Sequence, residues 1–303
     1  MADVTLAIDV GGTKIAVGLA DRDGVLVDTA IQPTPHGDAR AVWAVAERLI
    51  TEITTDTAVR GVGIASGGPI HLPTGTVSPI NIPGWRNFPI VDRVAALLPG
   101  VPVRLGGDAL CMALGEHRHG AGRGTQFLLG MVVSTGVGGG LVLDGAPYEG
   151  GSGNAGHVGH VVVDLDGEPC TCGGHGCVET IASGPRMTRW ARDQGWEAPA
   201  DAGAKELAQA AGAGNELAVL AFRRGATALA AMIASVAAVC DLDLAVIGGG
   251  VANAGPLLFD PLREALGGYA GLDFLRGLRV VPAQLGGDAG LVGAAALADG
   301  HLG

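Results

Sequence analysis

The sequence is poor in charged residues, and basic side chains are scarcer than acidic ones. Charged residues make up 16% of the 303 residues, and 19 basic side chains stand against 30 acidic ones, for a net charge of −11. This balance offers no basic surface of the kind that binds nucleic acid or an anionic membrane. We therefore expect neither nucleic acid nor a membrane among the partners of the protein.

A secretory leader, a membrane-length apolar run and a disulfide framework are also missing. Met1-Ala2-Asp3 lacks the basic start of a signal peptide, and the most apolar long segment, 226–240, is about 15 residues long, short of the roughly 20 that span a bilayer. The five cysteines are odd in number, and three of them cluster at metal-binding spacing. These features predict a cytoplasmic protein with reduced thiols.

Apolar residues and glycines are, by contrast, abundant. Apolar residues account for 48% of the chain, enough for a large core without disulfides. The 53 glycines are not periodic, so they indicate many tight turns rather than a fibrous or disordered chain. At this length we expect two domains.

Three cysteines and one histidine form the most specific motif. Cys170, Cys172 and Cys177 fall within eight residues, interleaved with glycine, and His160 lies just upstream. Three thiolates and one imidazole are a closed ligand set for structural zinc. The alternative, three buried free thiols, does not explain their spacing. We expect the metal to order a loop that carries His157, His160 and Glu179.

A strand, a glycine turn and a second strand occur twice. Residues 4–10 lead through Gly11-Gly12-Thr13-Lys14 into 15–20, and residues 127–133 lead through 134–140 into 141–143. An Asp-Gly pair follows the second strand in both copies. One such turn alone is usually only a turn, but its exposed N–H groups can hold phosphate. Two copies about 125 residues apart favour a duplicated fold that holds a polyphosphate.

Asp108 follows a predicted strand, 101–105, and precedes a predicted helix, 109–118. Ligands of open α/β sheets bind beyond the carboxyl ends of strands, which makes Asp108 a candidate functional residue. Asp is also a common helix N-cap, and the sequence leaves both interpretations open.

A further run of glycines, Gly248–Gly250, follows the predicted buried strand 243–247. This run is either a bare turn or a place where the backbone closely approaches a ligand.

Together these motifs resemble the ROK family of repressors, open reading frames and sugar kinases. The resemblance runs through Asp9–Lys14, Gly61–Pro69, Asn81–Trp85, Asp108, Ser134–Gly140, Gly156–His160, the cysteine run, Gly248–Gly250 and Asp288–Gly293. It implies an α/β, actin-like (hexokinase- and ribonuclease H-like) duplicated two-domain fold with a central cleft. The domains would be 1–108, completed by a terminal helix in 288–303, and 109–287, which carries the zinc loop.

The resemblance also implies roles for individual residues. Asp108 would take the proton from the sugar 6-hydroxyl, and Asp9 would help to hold Mg²⁺ beside ATP. His160 would be both a zinc ligand and a sugar contact. The other implied sugar-binding residues are Gly68, Asn81, Gly107, His157 and Glu179. The implied nucleotide-binding residues are Asp9, Gly11, Gly12, Thr13, Lys14, Thr135, Gly136, Gly138, Gly249 and Gly250.

Two positions depart from the common pattern of the family. Gly107 stands where Asn is usual, and His157 stands where Glu is usual. The second change resembles the form seen in N-acetylmannosamine kinases, and both changes suit a larger substituent on the sugar. We expect an ATP-dependent 6-kinase for an N-acylhexosamine, N-acetylmannosamine being favoured, and a homodimer. The alternatives are a glucokinase or other plain-hexose kinase and, more remotely, a non-catalytic sugar binder or a repressor.

Overall fold

The computed structural model describes residues 3–35 and 37–300. The chain divides into two compact units. The first comprises Met1–Gly124, Gly140–Gly156 and Leu285–Gly303, and the second comprises Thr125–Gly139 and His157–Gln284. The predicted domain boundary after residue 108 stays a prediction.

The first sheet has the strand order β3-β2-β1-β4-β7. β2 runs antiparallel to β1, whereas β1, β4 and β7 run parallel to one another. Their carboxyl ends therefore meet at one edge of the sheet. The strands are β1 (Asp3–Val10), β2 (Lys14–Ala20), β3 (Leu26–Pro33), β4 (Ala58–Ser66) and β7 (Val103–Gly107), and a separate short hairpin is formed by β5 (Ile70–His71) and β6 (Thr76–Val77).

The second sheet repeats the topology of the first. Its order is β10-β9-β8-β11-β12, again an antiparallel start followed by parallel strands. The strands are β8 (Leu128–Val133), β9 (Val137–Leu143), β10 (Ala146–Tyr148), β11 (Leu244–Gly248) and β12 (Arg279–Pro282). The predicted duplication of an α/β unit is thus confirmed.

Helices follow the apolar periodicity of the sequence. In α1 the residues Val42, Ala46, Leu49, Ile50 and Ile53 are buried on one face, and the Asp38 side chain caps the helix by accepting a hydrogen bond from the Arg40 N–H. The helices are α1 (Ala39–Ile53), α2 (Ile90–Leu97), α3 (Asp108–His119), α4 (Glu179–Ala182), α5 (Gly184–Asp193), α6 (Ala204–Gly212), α7 (Glu216–Cys240), α8 (Pro256–Tyr269) and α9 (Ala289–Asp299).

The terminal helix α9 is buried in the first unit, where it packs against β1, β4 and α3. Glycines make this close packing possible. A Cβ on Gly63 of β4 would lie 1.7 Å from the carbonyl oxygen of Ala294, and one on Gly293 would lie 1.6 Å from that of Cys111. The almost wholly apolar composition of α9 is therefore the composition of a core element.

By length and composition, α7 could cross a membrane, because it has 25 residues and high hydropathy. However, 61% of its most apolar 18-residue window is buried inside the protein. Alanines and glycine make up much of that buried face. These are the properties of a core helix, which is what the sequence predicts for this segment.

Candidate active site

Two carboxylates lie at the carboxyl edge of the first sheet. Asp9 is the penultimate residue of β1 and pairs with Ala65 of β4, which in turn pairs with Gly106 of β7. Asp108 is the first residue of α3, directly after β7, and its side chain is exposed. The strand register therefore brings the two predicted acidic residues to the same edge of the sheet.

Asp9 is a buried carboxylate that has a second negative charge, Asp108, nearby. The pKa of Asp9 is raised from 3.8 to about 6, mainly by burial and then by the negative charge of Asp108, while Lys14 acts in the opposite direction. A Cβ on Gly290 would lie 2.6 Å from Asp9 Oδ2, so the first turn of α9 lies directly against this carboxylate. A divalent cation is the kind of ligand that two neighbouring carboxylates can hold.

Asp108 is not the N-cap of α3. That position is occupied by Gly107, and Asp108 is already helical. Its Oδ1 accepts a hydrogen bond from the Ala109 N–H at 2.7 Å. Asp108 is therefore not the N-cap residue itself, its side chain is exposed, and its role in the reaction stays a prediction.

Gly107 has room beside it. A Cβ added there would meet no atom within 4 Å, and its backbone has φ −65° and ψ 145°, which any residue can adopt. Neither packing nor backbone conformation thus requires glycine at this position. Its effect is to leave open space next to Asp108.

The first glycine turn is held by hydrogen bonds at both of its ends. The Gly11 N–H donates to the Lys14 carbonyl at 3.0 Å, and the buried Thr34 donates through Oγ1 to the Gly11 carbonyl at 2.6 Å. Thr34 was not predicted, because its distant position carries no motif. Lys14 Nζ reaches the Gly287 carbonyl at 3.4 Å. Thr13 is the exposed residue of the turn.

This turn lies against Asn81. A Cβ on Gly12 would be 2.4 Å from the Cβ of Asn81. Gly68 is also in this unit, half-buried and joined to Pro69 by a cis peptide bond. The first unit therefore contains the predicted residues Asp9, Gly11, Gly12, Thr13, Lys14, Gly68, Asn81, Gly107 and Asp108.

The second glycine turn lies between β8 and β9. The Ser134 N–H donates to the Gly136 carbonyl at 2.8 Å, and the Gly184 N–H donates to the Ser134 carbonyl at 2.8 Å. Thr135 is exposed, and Gly138 is half-buried in β9. The Gly248–Gly250 run lies beside this turn, because a Cβ on Gly249 (φ 92°) would be 2.5 Å from the Val133 carbonyl oxygen and one on Gly250 would be 3.5 Å from Ser134 Oγ.

Glu179 joins this turn to the cysteine loop. Its Oε2 accepts a hydrogen bond from the Val137 N–H at 2.8 Å, and a Cβ on Gly136 would lie 2.6 Å from the same oxygen. Glu179 begins α4, two residues after Cys177. The family resemblance implies a sugar contact at Glu179, which stays a prediction, and the sequence contains no signal for its bond to the turn.

The four predicted metal ligands come together. The ligand atoms of His160, Cys170, Cys172 and Cys177 all lie within 4.8 Å of one another. Two of the contacts measure 3.7 Å, from Cys170 Sγ to His160 Nδ1 and from Cys172 Sγ to Cys177 Sγ. Tetrahedral zinc with bonds of about 2.3 Å to sulfur places ligand atoms about 3.5–3.8 Å apart. The donor set therefore fits a tetrahedral zinc ion.

The loop backbone turns tightly around this cluster. Gly173 and Gly176 have positive φ values of 95° and 69°, which glycine adopts without strain. The Cys170 N–H donates to the Gly174 carbonyl at 2.8 Å. His157, which is exposed, precedes the 3₁₀ turn Val158–His160, and its ring stacks with that of His160 at 6.4 Å between centroids.

The chain is similar to known sugar kinases over almost its whole length. It is 38% identical to the N-acetylmannosamine kinase of Citrobacter koseri, covering 98% of this chain and 99% of that one. It is 34% identical to the glucokinase of Thermotoga maritima, covering 98% of each chain.

Solved structures of sugar kinases are similar to this chain as well. A ROK hexokinase from Thermus thermophilus matches with a TM-score of 0.88 and 32% identity, covering 99% of each chain. A ROK family glucokinase from Streptomyces griseus, in complex with glucose and AMPPNP, matches with a TM-score of 0.80 and 33% identity over 98% of this chain and 99% of that one. These likenesses confirm the predicted actin-like, hexokinase-like fold.

The ROK family model matches residues 5–301. With the two glycine turns, the carboxylates at the sheet edge and the His/Cys₃ cluster in place, the chain belongs to the ROK family and is one of its ATP-dependent sugar kinases.

Proposed function

We propose that this kinase transfers the γ-phosphate of ATP to the 6-hydroxyl of an N-acylhexosamine, with N-acetylmannosamine as the favoured substrate. The observation that carries the proposal is the open space at Gly107, where an added Cβ would meet nothing within 4 Å. The family's usual Asn, which bonds a sugar hydroxyl, is replaced there by a vacant volume that suits an acyl group.

His157 supports the same substrate. A glutamate at this position only accepts hydrogen bonds and so suits a free 2-hydroxyl, whereas a neutral histidine can donate or accept. The side chain of His157 is exposed beside the His160 ring. A site that is built for a hydroxyl rejects analogues that lack it, so both changes act on specificity.

In the proposed reaction Asp108 orients the 6-hydroxyl and accepts its proton. Phosphoryl transfer has a loose transition state, so positioning and charge neutralisation supply most of the catalysis. N–H groups of the two glycine turns, at Gly11–Lys14 and at Thr135–Gly138, hold the phosphates, and Gly249 and Gly250 contact the nucleotide. When bound with ATP, Mg²⁺ would neutralise phosphate oxygens, and Asp9 is the residue proposed to hold it.

The sugar side of the site is proposed to consist of Gly68, Asn81, His157, His160 and Glu179. We further propose that His160, Cys170, Cys172 and Cys177 bind one structural zinc ion, which orders the loop between them. A homodimer and a cytoplasmic location complete the proposal. Metal-binding thiols must be reduced, and this requirement favours the cytoplasmic location.

A plain-hexose kinase is the second candidate. It is favoured by the 34% identity to the glucokinase of T. maritima and by the likeness to the glucose-bound S. griseus enzyme. The more remote alternative, a non-catalytic sugar binder or repressor, would release no ADP with any sugar.

The test is a coupled kinase assay with ATP over glucose, mannose, fructose, allose, N-acetylglucosamine and N-acetylmannosamine. We expect the highest kcat/KM for N-acetylmannosamine. A kcat/KM for glucose about tenfold or more above that for N-acetylmannosamine would overturn the proposal, since one lost hydroxyl contact has an effect of this size or larger. Gly107→Asn and His157→Glu should each move the ratio toward glucose, with an unchanged melting temperature as the check on folding.

A further inference from the structure

A pocket of about 470 Å³ lies in the second unit, and none of the residues assigned above to the nucleotide, the sugar or the metal lines it. Helices α4, α5, α7 and α8 contribute to its walls, together with Val163 and Asp164 of the cysteine loop. Small-molecule sites commonly have volumes of roughly 300–1,000 Å³ and mostly apolar walls. The pocket is thus of the right size and place to be a separate ligand site.

One face of α7 forms the longest wall. The residues of α7 that line the pocket are Leu220, Arg223, Arg224, Thr227, Ala228 and Ala231. Steps of three and four residues keep them on a single helix face. The small side chains of Ala228 and Ala231 leave the space that larger residues would fill.

Positive charge predominates in this pocket. Arg223 and Arg224 form no ion pair and no side-chain hydrogen bond within the part of the chain that the structure describes. Asp164 is the single carboxylate among the described lining residues. The lining therefore carries two guanidinium groups against one carboxylate, in a chain whose net charge is −11.

The Arg224 side chain is also held in place and partly desolvated. Its guanidinium lies 5.6 Å from the centroid of the Trp190 ring, and it is only half-exposed. Burial lowers the pKa of Arg224, while the charges of Glu168 and Asp164 raise it. A positioned, partly dehydrated arginine binds an anionic group more strongly than one that extends freely into water.

Large apolar side chains surround these charges and remain accessible. Leu220 is 48% exposed and Tyr269 is 50% exposed, and Trp190 and Ile181 also line the pocket. The apolar and aromatic walls can bind a planar or apolar part of a ligand. The two adjacent arginines can bind a carboxylate, sulfonate or phosphate group at one end of it. We propose that this pocket is a second ligand site, which binds a small organic anion with an apolar or aromatic body.

A sugar matches the pocket poorly, because among the lining side chains only those of Asp164, Thr227 and Tyr269 can accept a hydrogen bond from a hydroxyl. The pocket nevertheless shares an element with the proposed kinase site. Ile181 belongs to α4, the four-residue helix that begins with Glu179. A ligand in the pocket would therefore contact the element that holds the second glycine turn.

The probe that tests the site is anilinonaphthalene sulfonate, which joins an aromatic body to an anionic head. We expect saturable binding at one site per chain, with energy transfer from tryptophan to the dye. The neutral analogue phenylnaphthylamine, which has the same kind of body without the anion, should bind at least about tenfold more weakly. Trp190→Phe should remove most of the energy transfer, whereas Trp43→Phe, in the first unit, should not.

Arginine variants separate this site from general charge effects. Arg223→Gln and Arg224→Gln should each weaken dye binding by at least about tenfold. The matched control Arg48→Gln removes the same charge from an exposed position on α1 and should leave dye binding unchanged. Kinase activity and melting temperature serve as checks on folding for all three variants.

Three results would overturn the proposal. They are the absence of a saturable dye site, equal binding of the neutral analogue, and unchanged dye binding in both arginine variants. Sedimentation provides a separate check on the occupant. A dimer that dissociates in Arg223→Gln or Arg224→Gln, and that excludes the dye, would assign the pocket to an interface between copies of this chain instead.

Discussion

Glu179 Oε2 accepts a hydrogen bond from the Val137 N–H at 2.8 Å, and this bond links the cysteine loop to the second glycine turn. The oxygen also fills the space that a Cβ on Gly136 would need. A carboxylate has two oxygens, so Oε1 can bond a sugar hydroxyl while Oε2 holds the turn. One residue is thereby able to act on both the proposed sugar site and the proposed nucleotide site.

We expect Glu179→Ala to raise the KM for ATP as well as the KM for the sugar. Without its acceptor the Val137 N–H loses a hydrogen bond to a charged group, which we expect to raise the KM for ATP roughly five- to tenfold. Glu179→Gln keeps an oxygen that can accept the same N–H and should largely restore the KM for ATP. His157→Ala is the control and should affect the sugar alone. An unchanged KM for ATP in Glu179→Ala would show that the bond has no role in nucleotide binding.

Asp108→Asn should preserve the fold and ATP binding but lower kcat by about 10²–10⁴-fold, the usual loss when a general base is removed. The amide oxygen of Asn can still accept from the Ala109 N–H, so the start of α3 is retained. Single-turnover kinetics with calorimetric ATP binding would measure both effects. Full activity in this variant would remove Asp108 from the mechanism.

Asp9 should make stability depend on pH. Because burial and the negative charge of Asp108 raise the pKa of Asp9 from 3.8 to about 6 in the folded protein, the folded state binds this proton more tightly than the unfolded chain does. The contribution of Asp9 to the free energy of unfolding therefore falls as the pH rises from 3.8 to about 6, and it stays low above that pH. Mg²⁺–ATP binding should change in the opposite direction, since it needs the ionised carboxylate.

Asp9→Asn removes this titration. Each unit of pKa shift corresponds to about 1.4 kcal/mol, and after allowance for the partial exposure of Asp9 we expect the variant to be more stable by on the order of 1–2 kcal/mol at pH 7.5. The gain should shrink at pH 5. Urea unfolding of both proteins at the two pH values measures this, and an equal difference at both would contradict it. The same variant should lose most of its kinase activity.

Metal removal should destabilise the cysteine loop, because structural zinc contributes directly to folding free energy. We expect one zinc ion per chain by elemental analysis, and a lower melting temperature after dialysis against a strong chelator. Cobalt substitution should give the absorption of thiolate-bound Co²⁺. Cys172→Ser should lower the zinc content, the melting temperature and the cobalt absorption. Cys240→Ser, outside the cluster, should change none of these. Carefully purified native protein without zinc would contradict the proposal.

Local chemistry made much of this site predictable. The spacing of Cys170, Cys172 and Cys177 with nearby His160 indicates one metal because only a few glycine-rich residues separate the thiols. The hairpin around Gly11–Lys14 and its second copy follow from apolar strands interrupted by glycine, and Asp38 as the cap of α1 follows from its place before an amphipathic run. These inferences need only neighbours in sequence.

Other features depend on contacts between distant segments, which no local pattern encodes. The sequence left Asp108 as either a cap or a functional residue, and only the folded backbone shows that Gly107 occupies the N-cap position. The bonds from Thr34 to Gly11 and from Val137 to Glu179 join residues 23 and 42 positions apart, so they exist only because the chain folds those segments together. In the sequence, the adjacent residues Arg223 and Arg224 resemble ordinary solvent-exposed residues of a helix. Only the packing of α4, α5 and α8 against α7 makes them part of the wall of a pocket.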